Sequence, residues 1–146
     1  MEITVKDILK AKGNEIFIIA PDAVVYAALQ LLAEKNIGAL PVVQSEKLVG
    51  IFSERDYARN VVLKGKFSKD TMVQEIMTKD VVTVAPGDNI EHCMGLMSEK
   101  HIRHLPVVEE QRLIGIISIG DIVKSIIADQ KSTIGILEGY IVGNRA

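Results

Sequence analysis

Residues 101–121, HIRHLPVVEEQRLIGIISIGD, have a counterpart in residues 36–56, NIGALPVVQSEKLVGIFSERD. The two stretches align without a gap at a constant offset of 65 residues. The offset matches Pro41 with Pro106, Val42 with Val107, Val43 with Val108, Leu48 with Leu113, Gly50 with Gly115, Ile51 with Ile116, Ser53 with Ser118 and Asp56 with Asp121. An ungapped frame of this kind marks one structural unit written twice. Pro21 and Pro86 keep the same offset, so the repeat extends towards the N-terminus through a shared helix. A chain built this way carries two related half-sites.

Composition bounds what those half-sites can do. At 146 residues the chain has the size of one ordinary domain, or of two small units sharing a core. Hydrophobic residues make up 48% and charged residues 25%, the balance of a packed globule rather than a disordered chain. Aromatic residues are only 4%, with no Trp, so the core is expected to be aliphatic. A net charge of -2 gives no reason to expect nucleic acid or an acidic membrane surface as partner. The single cysteine, Cys93, excludes an internal disulfide and suits a reducing compartment. No apolar run reaches the roughly 18 residues of a membrane span, and the N-terminus lacks a signal-peptide pattern. The expectation is a complete cytoplasmic protein.

Residues 1–12 place Val5, Ile8 and Leu9 on one helical face. Residues 15–20, EIFIIA, read as a strand closed by Pro21. Asp22 is positioned to cap the next helix, which runs to about Lys35 and turns Val25, Ala28, Leu29 and Leu32 inward. A strand over residues 39–43 follows; its Pro41 fits only near the beginning of a strand or on an edge. A polar turn over residues 44–47 leads to a strand over 48–52, and Ser53 opens a helix to about Leu63. The unit is β-α-β-β-α, with a right-handed parallel crossover and then a hairpin.

Residues 64–70, KGKFSKD, read as the link between units. Val73, Ile76 and Met77 then repeat Val5, Ile8 and Leu9 at an offset of 68, so three extra residues lie around Lys12-Gly13-Asn14. The second unit comprises a strand over 81–85, a helix from about Asp88 to Lys100, strands over 105–108 and 113–117, and a helix from Ser118. Beyond Ala128, Ile134, Leu137, Tyr140 and Ile141 form a helical face with no counterpart in the repeat, suited to packing on the module or on a second chain. The division is therefore a first repeat with its N-terminal helical segment in residues 1–69, a second repeat in 70–128, and a helical tail in 129–146.

The ordered set resembles the tandem cystathionine-β-synthase (CBS) domain pair, or Bateman module, over nearly the whole chain, from Val5 to Ile127. The residues that carry the resemblance are the two Leu-Pro-Val-Val strands at 40–43 and 105–108, with Leu-Val-Gly-Ile and Leu-Ile-Gly-Ile at 48–51 and 113–116. Each is followed by Ser-x-x-Asp. The resemblance implies an α+β fold, a four-layer α/β/β/α module with two clefts between the repeats. Such clefts hold adenosine-type ligands: AMP, ADP, ATP, S-adenosylmethionine or a dinucleotide such as NAD. It also implies a homodimer and a partner protein that reads the ligand state.

The motif residues admit two chemistries. In Ser53-Glu-Arg-Asp56 and Ser118-Ile-Gly-Asp121 the serine hydroxyl and the first helical amides could hold a phosphate, while the aspartate accepts both ribose hydroxyls. The same pattern is a capping box, worth about 1 kcal/mol of stability and nothing else. Arg103 and His104 stand where the first repeat has Gly38 and Ala39, and a guanidinium fork suits phosphate. The resemblance aims both at the Ser53/Asp56 cleft of the other repeat, with Arg55 adding charge, and leaves the Ser118/Asp121 cleft facing Gly38 and Ala39. It extends the ligand set to Ile18, Pro21, Thr83 and Pro86.

His92, His101 and His104 lie close in sequence, but no cysteine or carboxylate set completes a zinc site. His92 aligns with Ala27, and Cys93 aligns with Ala28 on a buried face as a small core residue. Gly50 and Gly115 read as positions of close backbone approach in a buried strand. No phosphate-cradling Gly-rich loop, Ser-His-Asp order or catalytic carboxylate pair is present. The expected function is non-catalytic: an adenine nucleotide bound between the repeats, its level passed to an effector protein. The alternatives are NAD or S-adenosylmethionine as the ligand, or a dimerisation scaffold with degenerate clefts.

Overall fold

A computed structural model describes residues 2–13 and 15–145, with side chains described through residue 131 (Asn14 aside) and at 134, 135, 137 and 138. Its framework is the repeated hairpin. Strands β1 (Ala39–Gln44) and β2 (Lys47–Ser53) pair antiparallel, and β3 (His104–Glu109) and β4 (Arg112–Ser118) pair in the same register 65 residues later. Pro41 faces Ile51 as Pro106 faces Ile116, and both hairpins carry an irregularity after the following valine. The turns are two residues long, Ser45-Glu46 and Glu110-Gln111, and all four residues have φ between 50° and 66°. Positive φ at both positions matches the right-handed strand twist, although non-glycine residues adopt it at some cost.

The strands expected over residues 15–20 and 81–85 shrink to one bridging residue each. Ile19 pairs parallel with Val42, and Val84 with Val107. Ile19 donates to the Pro41 carbonyl at 3.1 Å and accepts from the Val43 amide at 3.0 Å. The next rung towards the N-terminus would need an amide hydrogen on Pro41, and proline has none. Pro106 truncates the second ladder in the same way, with Val84 held between the Pro106 carbonyl and the Val108 amide. The crossover direction is parallel, as expected, but the ladder stops at the proline.

Core membership crosses the repeats. Helix α1 (Val5–Lys12) buries Val5 and Ile8 among Val84, Cys93, Leu105, Val107, Ile117 and Ile122 of the second repeat. Helix α4 (Val73–Ile76) buries Val73 and Ile76 among Val25, Leu40, Val42, Phe52 and Val61 of the first. Backbone bonds seat both ends alike: Val5 and Lys6 amides donate to the Asp88 and Pro86 carbonyls, and Val73 and Gln74 amides to those of Ala23 and Pro21. The boundary near residue 70 thus divides the sequence, while each core takes a helix from across it.

Helix α2 (Val25–Lys35) starts differently from the expectation. Asp22 does not cap it; Val24 is the N-cap and offers no side-chain bond. The first amides, of Val25 and Tyr26, donate instead to the Thr71 and Ser68 carbonyls. The segment expected as a bare link therefore closes a helix end from outside. Val25, Ala28 and Leu32 are buried and Leu29 half-buried. Helix α3 (Glu54–Tyr57) passes into a π-helical turn, Ala58–Val62. Helix α5 (Ile90–Lys100) begins after Asn89, whose side chain accepts from the His92 amide at 2.8 Å. Cys93 is fully buried, and burial, with Asp88 nearby, pushes its thiol up to about 11.

Helix α6 runs unbroken over Ile119–Arg145, so the tail continues the last repeat helix. Its inward face is not the one left for a partner. Ile122 is 0% exposed and Ile126 packs on the second core. The exposed apolar residues are Ile119, Val123, Ile127, Ile134 and Leu137, which share one side of the helix. Tyr140 and Ile141 lie outside the described side chains. No helix among the described residues is long and apolar enough to cross a membrane.

Gly50 and Gly115 admit the exchanged segments. A Cβ at Gly50 would lie 2.5 Å from Met77 Sδ and 3.0 Å from the Thr78 carbonyl oxygen; at Gly115 it would lie 2.7 Å from Leu9 Cδ2. A leucine methyl can rotate aside, whereas backbone cannot. Gly50→Ala is expected to lower stability by about 1–3 kcal/mol, as overpacking does, and Gly115→Ala by less. Urea denaturation of the two variants checks the order.

Candidate functional site

Between the repeats lies a cavity of 440 Å³ lined from both halves. The first repeat supplies Gly38, Ile51, Ser53, Glu54, Arg55 and Asp56; the segment after α4 supplies Thr78, Asp80, Val81 and Val82; the second repeat supplies residues 101–104 and Pro106. Ser53, Arg55, Asp56, Arg103 and His104, predicted from sequence as one site, are therefore brought together. Gly38 makes this possible on the far wall, because a Cβ there would stand 3.1 Å from the His104 ring.

The capping box is real, and it leaves the aspartate capacity to spare. The Asp56 amide donates to Ser53 Oγ at 3.2 Å, and the Ser53 amide and hydroxyl donate to Asp56 Oδ2 at 2.9 and 3.0 Å. The other carboxylate oxygen, Oδ1, accepts from Thr78 Oγ1 at 3.1 Å. The helix start itself is largely spoken for, since the Glu54 amide also donates to the Gly38 carbonyl at 3.1 Å. Anion-binding capacity at this cleft rests on side chains more than on those amides. Arg55 is partly engaged: its guanidinium donates to the His101 carbonyl at the left-handed end of α5, tying the first repeat to the second.

The second Ser-x-x-Asp stands elsewhere and is occupied. The Ser118 amide donates to Asp121 Oδ2 at 2.8 Å and the Asp121 amide to Ser118 Oγ at 3.1 Å, the same box as in the first repeat. Lys12, from the end of α1, places its ammonium 2.8 Å from Asp121 Oδ2 and 2.7 Å from the Ile116 carbonyl oxygen. Burial raises the Asp121 carboxyl, but the Lys12 ammonium and the Ser118 amide and hydroxyl outweigh it and hold the group below the usual carboxylate range. His104 sits close enough to feel both partners. Burial, then the Lys12 cation and Arg103, lower its pKa, against the opposing pull of Asp121.

Besides Ser118 and Asp121, four predicted positions stand apart from the 440 Å³ cavity. Ile18 is 47% exposed and lines a separate 410 Å³ groove with Ile16, Val43 and Leu113. Thr83 is exposed, next to the lining residue Val82. Pro21 and Pro86 use their carbonyls to seat α4 and α1. His92 is exposed on α5 and His101 ends it, so the three histidines diverge, and no group of three metal-ligating side chains forms among the described residues. Sequence reasoning missed Thr78, Asp80 and Lys12. One signal was available for the last two: at the offset of 68, Lys12 aligns with Asp80, a reversal of charge at matched positions.

The CBS-domain family pattern matches residues 5–63 and 73–128. A CBS domain-containing protein of Arabidopsis thaliana, CBSX3, mitochondrial, is 36% identical over 149 residues, covering 96% of this chain and 72% of the relative. A CBS-domain protein of Burkholderia ambifaria MC40-6 superposes with a TM-score of 0.84 at 52% identity, covering 87% of this chain and 96% of that one. The CBS domain pair of protein MJ0100, solved with 5-methylthioadenosine and S-adenosyl-L-methionine, superposes with a TM-score of 0.77 at 29% identity, over 88% of this chain and 99% of that one. Two repeats, two small antiparallel sheets and a cleft shared between halves define a regulatory module of the Bateman type. The chain belongs to the CBS-domain family as a tandem pair.

His104 ties the cleft to pH. The folded protein disfavours its imidazolium, so the unfolded chain takes up the proton first. This contribution to stability is fully present above the ordinary value of 6.5 and is lost as pH falls from there through the lower folded value. Denaturation midpoints are expected to drop as pH falls below about 6.5, and to drop less in His104→Gln. An equal fall in both proteins counts against the assignment.

Proposed function

We propose that this CBS pair binds an adenine nucleotide of the AMP, ADP or ATP type in the cleft between Asp56 and Arg103, and that a partner protein reads the bound state. The observation that carries the reading is the meeting, in one cavity, of a carboxylate from one repeat with an arginine and an imidazole from the other. Asp56 Oδ1 now accepts from Thr78 and can accept a ribose hydroxyl, because an ionised carboxylate has lone pairs to spare. Arg103, with His104 and Arg55 beside it, suits a phosphate. Ile51, Val81, Val82, Ile102 and Pro106 provide an apolar wall for the base. A volume of 440 Å³ falls within the roughly 300–1,000 Å³ of small-molecule sites. Binding from both repeats favours one relative arrangement of the halves, which is how a ligand without catalysis becomes a signal.

A second reading rests on Glu54 and Asp80, which line the same cavity. Two carboxylates near the adenosine position suit a cationic tail such as that of S-adenosylmethionine, and the MJ0100 pair was solved with that ligand. We also propose a homodimer, with the second chain covering the exposed stripe of α6 from Ile119 to Leu137.

Thermal unfolding against AMP, ADP, ATP, NAD, S-adenosylmethionine and GMP separates these readings. A ligand at 100 times its Kd stabilises by about 2.7 kcal/mol, roughly 5–10 °C in midpoint for a chain of this size. The expected outcome is a shift with an adenine nucleotide and little with GMP; a flat panel leaves a scaffold. In calorimetric titration, Arg103→Ala is expected to weaken AMP about ten- to a hundredfold and leave adenosine nearly unchanged, while Asp56→Ala weakens both. A loss confined to S-adenosylmethionine in Asp80→Ala selects the second reading. Sedimentation equilibrium is expected to give twice the 16.0 kDa chain mass, and Val123→Lys to shift it towards the monomer.

A further inference from the structure

The two Ser-x-x-Asp boxes differ in what is bonded to the aspartate and to the strand before it. In the first, Thr78 bonds to both the β2 backbone and the aspartate: its amide donates to the Ile51 carbonyl at 2.9 Å and its hydroxyl to Asp56 at 3.1 Å. In the second, the single ammonium of Lys12 donates to the repeat-equivalent Ile116 carbonyl at 2.7 Å and to Asp121 Oδ2, the oxygen that the Ser118 amide also uses, at 2.8 Å. A neutral hydroxyl in one cleft is replaced by a full positive charge in the other.

The cause lies in helix length. Helix α4 ends at Ile76, Met77 is extended, and Thr78 joins β2 as an isolated antiparallel bridge. Helix α1 instead continues to Lys12 and stops at Gly13, whose φ of 96° suits glycine. The bridge never forms on the second repeat, and a lysine side chain fills the place of a strand residue.

The geometry points to Lys12 as an internal occupant of the second cleft, a self-inhibitory contact that excludes an adenosine-type ligand from Asp121. This inference rests on the ribose role proposed for the aspartates. Ribose hydroxyls offer neutral donors, and a carboxylate paired with an ammonium already holds its stronger, charge-assisted bond. A nucleoside reaching Asp121 meets the Lys12 ammonium held against the carboxylate, whereas at Asp56 it meets the neutral Thr78 hydroxyl. The second cleft also lacks an arginine at the position of Arg103, because its counterpart is Gly38. Each chain then takes one ligand, and α1 is fastened to the cleft that stays empty.

Two measurements on the full chain test this. Calorimetric titration with adenosine is expected to give one event per chain in the wild type, removed by Asp56→Ala. Lys12→Met is expected to add a second event, one that Asp121→Ala removes. Lys12→Gln, which keeps the length and a hydrogen-bond donor but drops the charge, is expected to do the same, and guards against a folding defect in the first variant. Separately, and with no ligand present, an NMR titration of the Asp121 carboxyl is expected to move upward in Lys12→Met. One event in both wild type and variants overturns the exclusion alone. Two events in the wild type that fall to one in Lys12→Met overturn it by making Lys12 a ligand contact. An Asp121 titration unchanged by Lys12→Met overturns the ion pair. No adenosine binding in any protein overturns the ribose reading and the exclusion with it, while the NMR result still reports on the pair.

Discussion

The structure depends on an exchange of apolar helices. Neither hairpin closes a core with the residues around it in sequence. Val5 and Ile8 complete the second repeat, and Val73 and Ile76 complete the first. Burying a valine or isoleucine side chain contributes about 1.5–3 kcal/mol, so each exchanged pair is a large part of the margin by which a small unit stays folded. Pulling the repeats apart would expose both pairs at once. The two cores are therefore coupled in stability, although their residues form separate clusters.

The same exchange builds the site. Because α4 belongs to the first core, the segment that follows it is brought to the edge of β2 at Thr78, and Thr78, Asp80, Val81 and Val82 become a wall of the first cleft. Because α1 belongs to the second core, its last residue arrives beside Asp121. Gly50 and Gly115 are the backbone condition for both arrivals, since any larger residue there meets Met77 or Leu9. Packing that stabilises the fold and placement of polar groups at the clefts are one arrangement.

Charge then separates two half-sites that share their backbone. Asp56 and Asp121 stand in matching capping boxes, with matching serines. One faces a hydroxyl and, across the cavity, Arg103 and His104; the other faces an ammonium. His104 stands between them, lining the first cavity and sensing Lys12 and Asp121 of the second. The Lys12–Asp121 pair thus acts electrostatically on a residue that lines the first cavity.

Much of this was legible in the sequence, because the hairpins, their register and the Ser-x-x-Asp boxes depend on local pattern and a constant offset. That Arg103 and Asp56 line one cavity was legible too, through the resemblance that placed residues before one strand near the other repeat's helix. Other features had no local signature. Pro41 was read as a residue of a strand's beginning or edge, yet which rung it and Pro106 remove depends on which strand lies alongside. Asp22 was read as a cap because its type favours one, but the Ser68 and Thr71 carbonyls reached the helix end first. Ile122 is buried with Val5 and Ile8 of α1, a neighbour that its own repeat does not supply. Lys12 lies at the end of a segment whose apolar face is legible, and nothing in that pattern marks it for Asp121. Its role follows from which repeat that helix packs against, and a sequence pattern states which face of a helix is apolar without stating which core it enters. Tertiary packing made that choice, since helix exchange buries the same side chains whichever unit they come from.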